Sequence, residues 1–100
     1  MIKRIVKMSF ELEKVEKFKS IYELNWHKIK GFEGCLHVEL LQDRSSPSIF
    51  FTYSNWESEN HLNNYRDSIV FKTVWASTKV LFNQKPEAWT LNVLELKHIL

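Results

Sequence analysis

One hundred residues with 44% hydrophobic and 26% charged side chains make a single globular domain, too short for a second module and too apolar for disorder. A formal charge of +2, with Lys14, Lys17, Lys28 and Lys30 partly offset by Glu13, Glu16 and Glu23, sets up no phosphate-seeking field and argues against nucleic acid as a partner. The lone Cys35 cannot form an internal disulfide, no apolar leader follows Met1-Ile2-Lys3-Arg4, and no apolar run approaches the roughly 20 residues of a membrane span, so a soluble, cytoplasmic protein is expected.

Residues 2–12 alternate as a first strand, with Val6, Met8, Phe10 and Leu12 on one face. From Glu13 the period lengthens, and Val15, Phe18, Ile21, Tyr22, Trp26 and Ile29 recur at helical spacing until Gly31 supplies a stop. A second strand over 34–41, the polar turn Asp43-Arg44-Ser45-Ser46-Pro47-Ser48 and a third strand over 49–56 read as an antiparallel hairpin. Ser58 is placed to cap a short helix with Glu59 in its first turn. Ser68 is placed to cap another that carries Phe71, Val74, Trp75, Thr78, Leu81 and Phe82 inward, with Pro86 ending the helical region. Trp89, Leu91 and Val93 alternate with Thr90 and Asn92 as a fourth strand. The order β-α-β-β-α-α-β is an α+β, ferredoxin-like plan with a four-stranded antiparallel sheet and its second helix split in two, one domain over residues 1–100.

Such a plan covers one sheet face with helices and leaves the other bare. Leu36, Val38 and Leu40 point one way on the second strand and Cys35, His37, Glu39 and Leu41 the other, while Ile49, Phe51 and Tyr53 oppose Phe50, Thr52, Ser54 and Trp56 on the third. Apolar residues on both faces point to a homodimer formed sheet to sheet. The tail over 94–100 is apolar enough to reach onto a partner, or it frays.

A pocket in this fold lies between the sheet and the helices. If the turn sets Gln42 opposite Ile49, then Glu39 faces Thr52 and His37 faces Ser54, with Trp56 on the same side. Trp56, Tyr65 and Trp75 then converge on a cavity suited to a flat aromatic with a hydroxyl or carbonyl; the alternative is that Tyr65, Phe71, Trp75 and Trp89 are core packing. His37 is the candidate for proton transfer, against the reading that Glu39 or a backbone group simply satisfies it. His61 lines the entrance or is solvated surface, His27 and His98 take no role, and Cys35 reads as a buried thiol. No two histidines stand at i,i+3 or i,i+4 and there is no second cysteine, so neither a metal set nor a glycine-rich phosphate loop is expected.

The run Phe50-Phe51-Thr52-Tyr53-Ser54-Asn55-Trp56-Glu57-Ser58, with Gly31-Phe32-Glu33-Gly34-Cys35-Leu36 before it, Arg4-Ile5-Val6 at the start and Phe71-Lys72 after, resembles the antibiotic biosynthesis monooxygenase family over nearly the whole chain. The resemblance implies a dimeric α+β barrel built from two sheets, often with exchanged C-terminal strands, and oxidation of electron-rich aromatics, in some members without metal or flavin. Trp56 matches a pocket tryptophan of members that oxidise aromatic polyketides, but their asparagine four residues earlier is Thr52 here and their tyrosine six residues later is Leu62. Against haem-degrading members, the iron-binding histidine position holds Trp75, the distal tryptophan position holds Tyr65, and no asparagine stands near Met8, so no haem is expected. Quinol-oxidising members are closer in general pattern, though a histidine often found in their short helix falls at Tyr65.

The expected function is a cofactor-independent monooxygenase of small quinol-like aromatics, with His37 catalytic and Thr52, Trp56, Tyr65, Phe71 and Trp75 binding substrate. A non-catalytic binder of small aromatics and an isomerase of small oxygenated metabolites are the alternatives on the same scaffold. A polar set around His37 would favour an enzyme, and an apolar plug of Trp56, Trp75 and Phe71 would favour the binder or a structural dimer.

Overall fold

In the computed structural model, which describes residues 1–94, the elements run β1 (Ile2–Ser9), α1 (Val15–Lys30), β2 (Cys35–Gln42), β3 (Ile49–Trp56), α2 (Glu59–Arg66), α3 (Ile69–Lys79) and β4 (Glu87–Asn92). The strands form one antiparallel sheet in the order β2-β3-β1-β4, the expected ferredoxin-like arrangement. The expected swapping tail lies, Leu94 apart, outside the described residues. No helix among the described residues is long and apolar enough to cross a membrane.

Helix starts follow the capping chemistry. Ser58 Oγ accepts from the His61 amide to open α2, and Ser68 Oγ accepts from the Phe71 amide to open α3. Gly31 ends α1 with right-handed backbone, its amide reaching the His27 carbonyl, so the conformation that needs glycine falls at Gly34, φ +87°. A side chain at Gly34 would also overlap the His61 ring.

The first strand stops earlier than its alternation suggests. Phe10 donates from its amide to the Ser48 carbonyl and bridges to Phe82, and the chain then turns through a 3-10 segment, Leu12–Lys14, leaving Leu12 exposed. Phe10 thereby becomes the centre of the core rather than a link in a longer strand. Its ring stacks on Phe18 at 4.3 Å and meets Phe50 at 6.0 Å and Phe82 at 5.4 Å, with Met8, Val15 and Leu81 packed around them.

The β2–β3 register differs by one residue from the expected pairing. Asp43 closes the hairpin: its amide donates to the Ile49 carbonyl, and its carboxylate accepts from the amides of Ser45 and Ser46 at 3.0 and 2.8 Å. Gln42 therefore pairs with Phe50, Leu40 with Thr52, Val38 with Ser54 and His37 with Asn55, and a bulge at Leu36 restores Cys35 opposite Trp56. Because strand side chains alternate, this one-residue difference puts Val38 and Leu40 on the helix side and turns His37 and Glu39 to the other face.

That other face carries no helix. Cross-strand rows place Lys3, Ile5, Phe51, Tyr53, Asn55, Leu41, Trp89 and Leu91 on it together with His37 and Glu39. Trp89, which could have been core, is 42% exposed in this single chain.

Candidate functional site

Between the helix side of the sheet and α1, α2 and α3 lies a cavity of about 350 Å³, within the size range of small-molecule sites. One wall is a relay of aromatic rings contributed by β3, α2 and α3. Trp56 stacks on Tyr65 at 4.9 Å and 27°, Tyr65 meets Phe71 edge-on at 5.3 Å, and Phe71 stacks on Trp75 at 5.7 Å and 13°. Helical spacing accounts for the last pair, since positions four apart share a face. The facing wall is sheet: Val6, Met8, Val38, Thr52 and Ser54.

Trp56 is buried and fixed at both ends of its ring system, stacked on one side and donating from Nε1 to Ser54 Oγ at 3.0 Å. Ser54 is in turn directed towards the Arg4 carbonyl at 3.4 Å. Tyrosine hydroxyls and two arginines add polar groups to the lining. The Tyr22 hydroxyl, from α1, is buried with no hydrogen-bond partner among the described residues. Burial first, and the charges of Glu39 and Cys35 after it, push its pKa up to about 12, so it is a neutral donor at ordinary pH. Burial likewise raises Tyr65 well above the ordinary phenol range. Arg4, from β1, donates from Nη1 to Thr90 Oγ1 at 2.7 Å, and Arg66 closes the end of α2 beside it.

Of the residues expected to bind substrate, Thr52, Trp56, Tyr65, Phe71 and Trp75 all line this cavity. The rings do not plug it. His37 does not line it. Its imidazole stands on the uncovered sheet face, Nε2 3.6 Å from Glu39 Oε1 and its ring 6.2 Å from that of Tyr53, because the Asp43 turn sets the register one residue away from the expected one. The expectation that His37 faces the aromatic pocket is thus corrected, and the polar set around it belongs to the other side of the sheet.

His61 packs against Gly34, with Nδ1 2.7 Å from Ser58 Oγ and Nε2 3.5 Å from Glu57, and is absent from the cavity lining. Cys35 is half-buried and burial raises its thiol pKa, the behaviour of an unreactive side chain. Among the described residues no three His, Cys, Asp or Glu side chains are grouped as a metal ion would need. Sequence reasoning passed over Tyr22, Arg4 and Arg66. A readable sign existed for the first two: Tyr22 is the polar-tipped aromatic four residues after Phe18 on the inward stripe of α1, and Arg4 shares the alternating face of Val6 and Met8.

A model of the antibiotic biosynthesis monooxygenase family matches residues 1–77, taking in β1 through most of α3 and with them most of the cavity lining. The chain belongs to the antibiotic biosynthesis monooxygenase family. Solved structures carry the same fold. A candidate antibiotic biosynthesis monooxygenase from Nitrosomonas europaea superposes with a TM-score of 0.87 at 18% identity, covering 94% of this chain and 99% of that one. One from Caulobacter crescentus CB15 gives 0.88 at 18% identity over 94% and 90% of the two chains. One from Deinococcus radiodurans gives 0.87 at 16% identity over 100% and 99%. No curated protein is a match to the chain. At such identities the structural likeness fixes the fold, while the chemistry of this family member has to be sought in its own cavity.

Proposed function

We propose that the protein is a monooxygenase that oxidises small hydroxylated aromatics, quinols or related phenols, with dioxygen and without a resident cofactor. The observation that carries this reading is the open cavity of about 350 Å³ with a stacked aromatic wall and, buried in it, the unpartnered Tyr22 hydroxyl. A flat ring would lie along Trp56, Tyr65, Phe71 and Trp75, and a ring oxygen would give Tyr22 the partner that a buried hydroxyl requires. A quinol supplies all the electrons itself: oxidation to a hydroxyquinone places one oxygen atom of O₂ on the ring and releases the other as water.

The step that makes such a substrate reactive is loss of its hydroxyl proton. Among the described residues no histidine lines the cavity, and Glu87, the acidic residue on its rim, pairs in register with Lys7 of the uncovered face. In this reading the proton leaves to water at the cavity mouth, and Tyr22, neutral because of its raised pKa, donates to the oxyanion left behind. We further propose that the chain works as a homodimer through its uncovered sheet face.

Oxygen uptake with a panel of reduced quinols and anthrones, with and without added flavin or metal, tests the activity. The expected result is uptake above autoxidation that Tyr22→Phe lowers on the order of 10²-fold, the scale of losing one oxyanion donor. Uptake no faster than autoxidation across the panel would instead support a non-catalytic binder, which the lack of a histidine in the cavity among the described residues also favours.

A further inference from the structure

Arg4 is the least expected residue of the cavity. It occupies a strand position whose neighbours on the same face are Val6 and Met8, half-buried at the β4 edge of the cavity, where its bond to Thr90 is open to solvent. Its recorded side-chain partner is the neutral Thr90 hydroxyl, leaving most of its five N–H donors uncommitted. Arg66 adds a second positive charge instead of a counter-charge. It lines the same cavity, and its field, after burial itself, depresses the pKa of Arg4. Among the described residues no carboxylate forms an ion pair with either guanidinium: the pairs that exist are Lys19–Glu16, His37–Glu39 and His61–Glu57. As a cation in the last turn of α2, Arg66 alone would be explained by the helix dipole. Arg4, on a strand, has no helix dipole to face.

We propose that the ligand of this cavity is an aromatic acid, a ring whose carboxylate is held by Arg4 and Arg66 and whose hydroxyl meets Tyr22. The spacing supports this pairing of ends. Thr90, Arg4, Ser54 and Val38 form one row across the sheet, from β4 through β1 and β3 to β2. Tyr22 belongs to the β2 end of that row, where Glu39 and Cys35 act on its hydroxyl and Leu40 packs in the same core, and the guanidinium belongs to the β1–β4 end. Two strand spacings, about 10 Å, separate β2 from β1, so the hydroxyl and the guanidinium stand towards opposite ends of the cavity. A carboxylate accepts from guanidinium in paired geometry, whereas a neutral quinol offers the arginines nothing of comparable strength. The assignment rests on the proposed reading of this cavity as the substrate site and names the class of substrate it selects.

Quenching of tryptophan fluorescence by 4-hydroxybenzoate and by its uncharged isostere 4-hydroxybenzamide tests it on the intact protein. The acid is expected to bind about 10-fold more tightly or better at low salt, a gap worth about 1.4 kcal/mol. Arg66→Gln, at an exposed position, should shrink the gap to about 3-fold or less, and Arg4→Gln should close it, both weakening the acid more than the amide. Equal affinity for acid and amide, no binding of either, or a gap that survives in folded Arg66→Gln overturns the proposal. Oxygen uptake separates this inference from the activity on which it builds. Preference for the acid with no uptake on 2,5-dihydroxybenzoate or any neutral quinol keeps the ligand class and removes the monooxygenase. Uptake on neutral quinols with indifference to the acids does the reverse.

Discussion

At the scale of single residues, Tyr22 sets stability against binding. A buried hydroxyl without a partner carries a desolvation cost of about 1–3 kcal/mol, so Tyr22→Phe should raise the melting temperature of the ligand-free protein while weakening binding of hydroxylated aromatics. A variant that melts lower and binds as well as wild type would contradict that role. The same phenol sets an alkaline limit. Its folded pKa, about 12, lies above the ordinary tyrosine value of about 10, so its contribution to stability is fully present below pH 10 and is lost as pH rises through 12. Denaturant midpoints measured between those values should fall with pH, and fall less steeply in Tyr22→Phe. Gly34 makes a separate demand. Its backbone is left-handed and its missing side chain is the space taken by the His61 ring, so Gly34→Ala should destabilise by about 1–3 kcal/mol, whereas Gly31→Ala, on right-handed backbone, should cost less. Equal midpoints for the two variants would refute the distinction.

At the scale of elements, the strands, the long first helix and both serine caps were legible because each rests on local chemistry: period-two or period-3.6 hydrophobicity and a side-chain oxygen three residues before an orphan amide. The aromatic wall was legible for the same reason, since Phe71 and Trp75 follow helical spacing and Trp56 ends a strand. The register was not. It depends on one turn, in which the Asp43 carboxylate gathers the Ser45 and Ser46 amides and lets the ladder close one pair later, and no hydrophobic pattern discriminates the two pairings when both strands are apolar on both faces. That single residue moved His37 from the cavity to the open face. Arg4 and Tyr22 went unnoticed because a polar tip on an otherwise apolar stripe looks like tolerated noise until the cavity behind it is seen. Asp43→Ala should therefore cost about 1 kcal/mol by removing the turn's acceptor, and should broaden amide resonances of β2 and β3 as alternative pairings gain population. Unchanged stability and sharp hairpin resonances would show that the core alone sets the register.

At the scale of the whole molecule, one face of the sheet is closed by helices around the cavity and the other is open. On the open face Leu41, Trp89 and Leu91 are each more than two-fifths exposed, beside Ile5, Phe51 and Tyr53 in the same cross-strand rows, a contiguous apolar surface larger than scattered leucines would make. Several of its polar members are paired with one another: Lys3 Nζ meets the Tyr53 hydroxyl and lies 3.1 Å from Asn55 Oδ1, and His37 lies beside Glu39. Lys7 and Glu87 are cross-strand neighbours of opposite charge on the same face, so a second copy can cover its apolar centre without bringing like charges together. The chain should accordingly sediment at twice its 12.0 kDa mass. Phe51→Lys, directly opposite Lys7 and beside Leu41, would put two like charges together in the buried patch and should yield a monomer. Because Phe51 points away from the cavity, that monomer should still bind a hydroxylated aromatic if each cavity is complete within one chain. A wild-type monomer at micromolar concentration removes the dimer, and a folded Phe51→Lys monomer that has lost binding would mean that the partner copy completes the site.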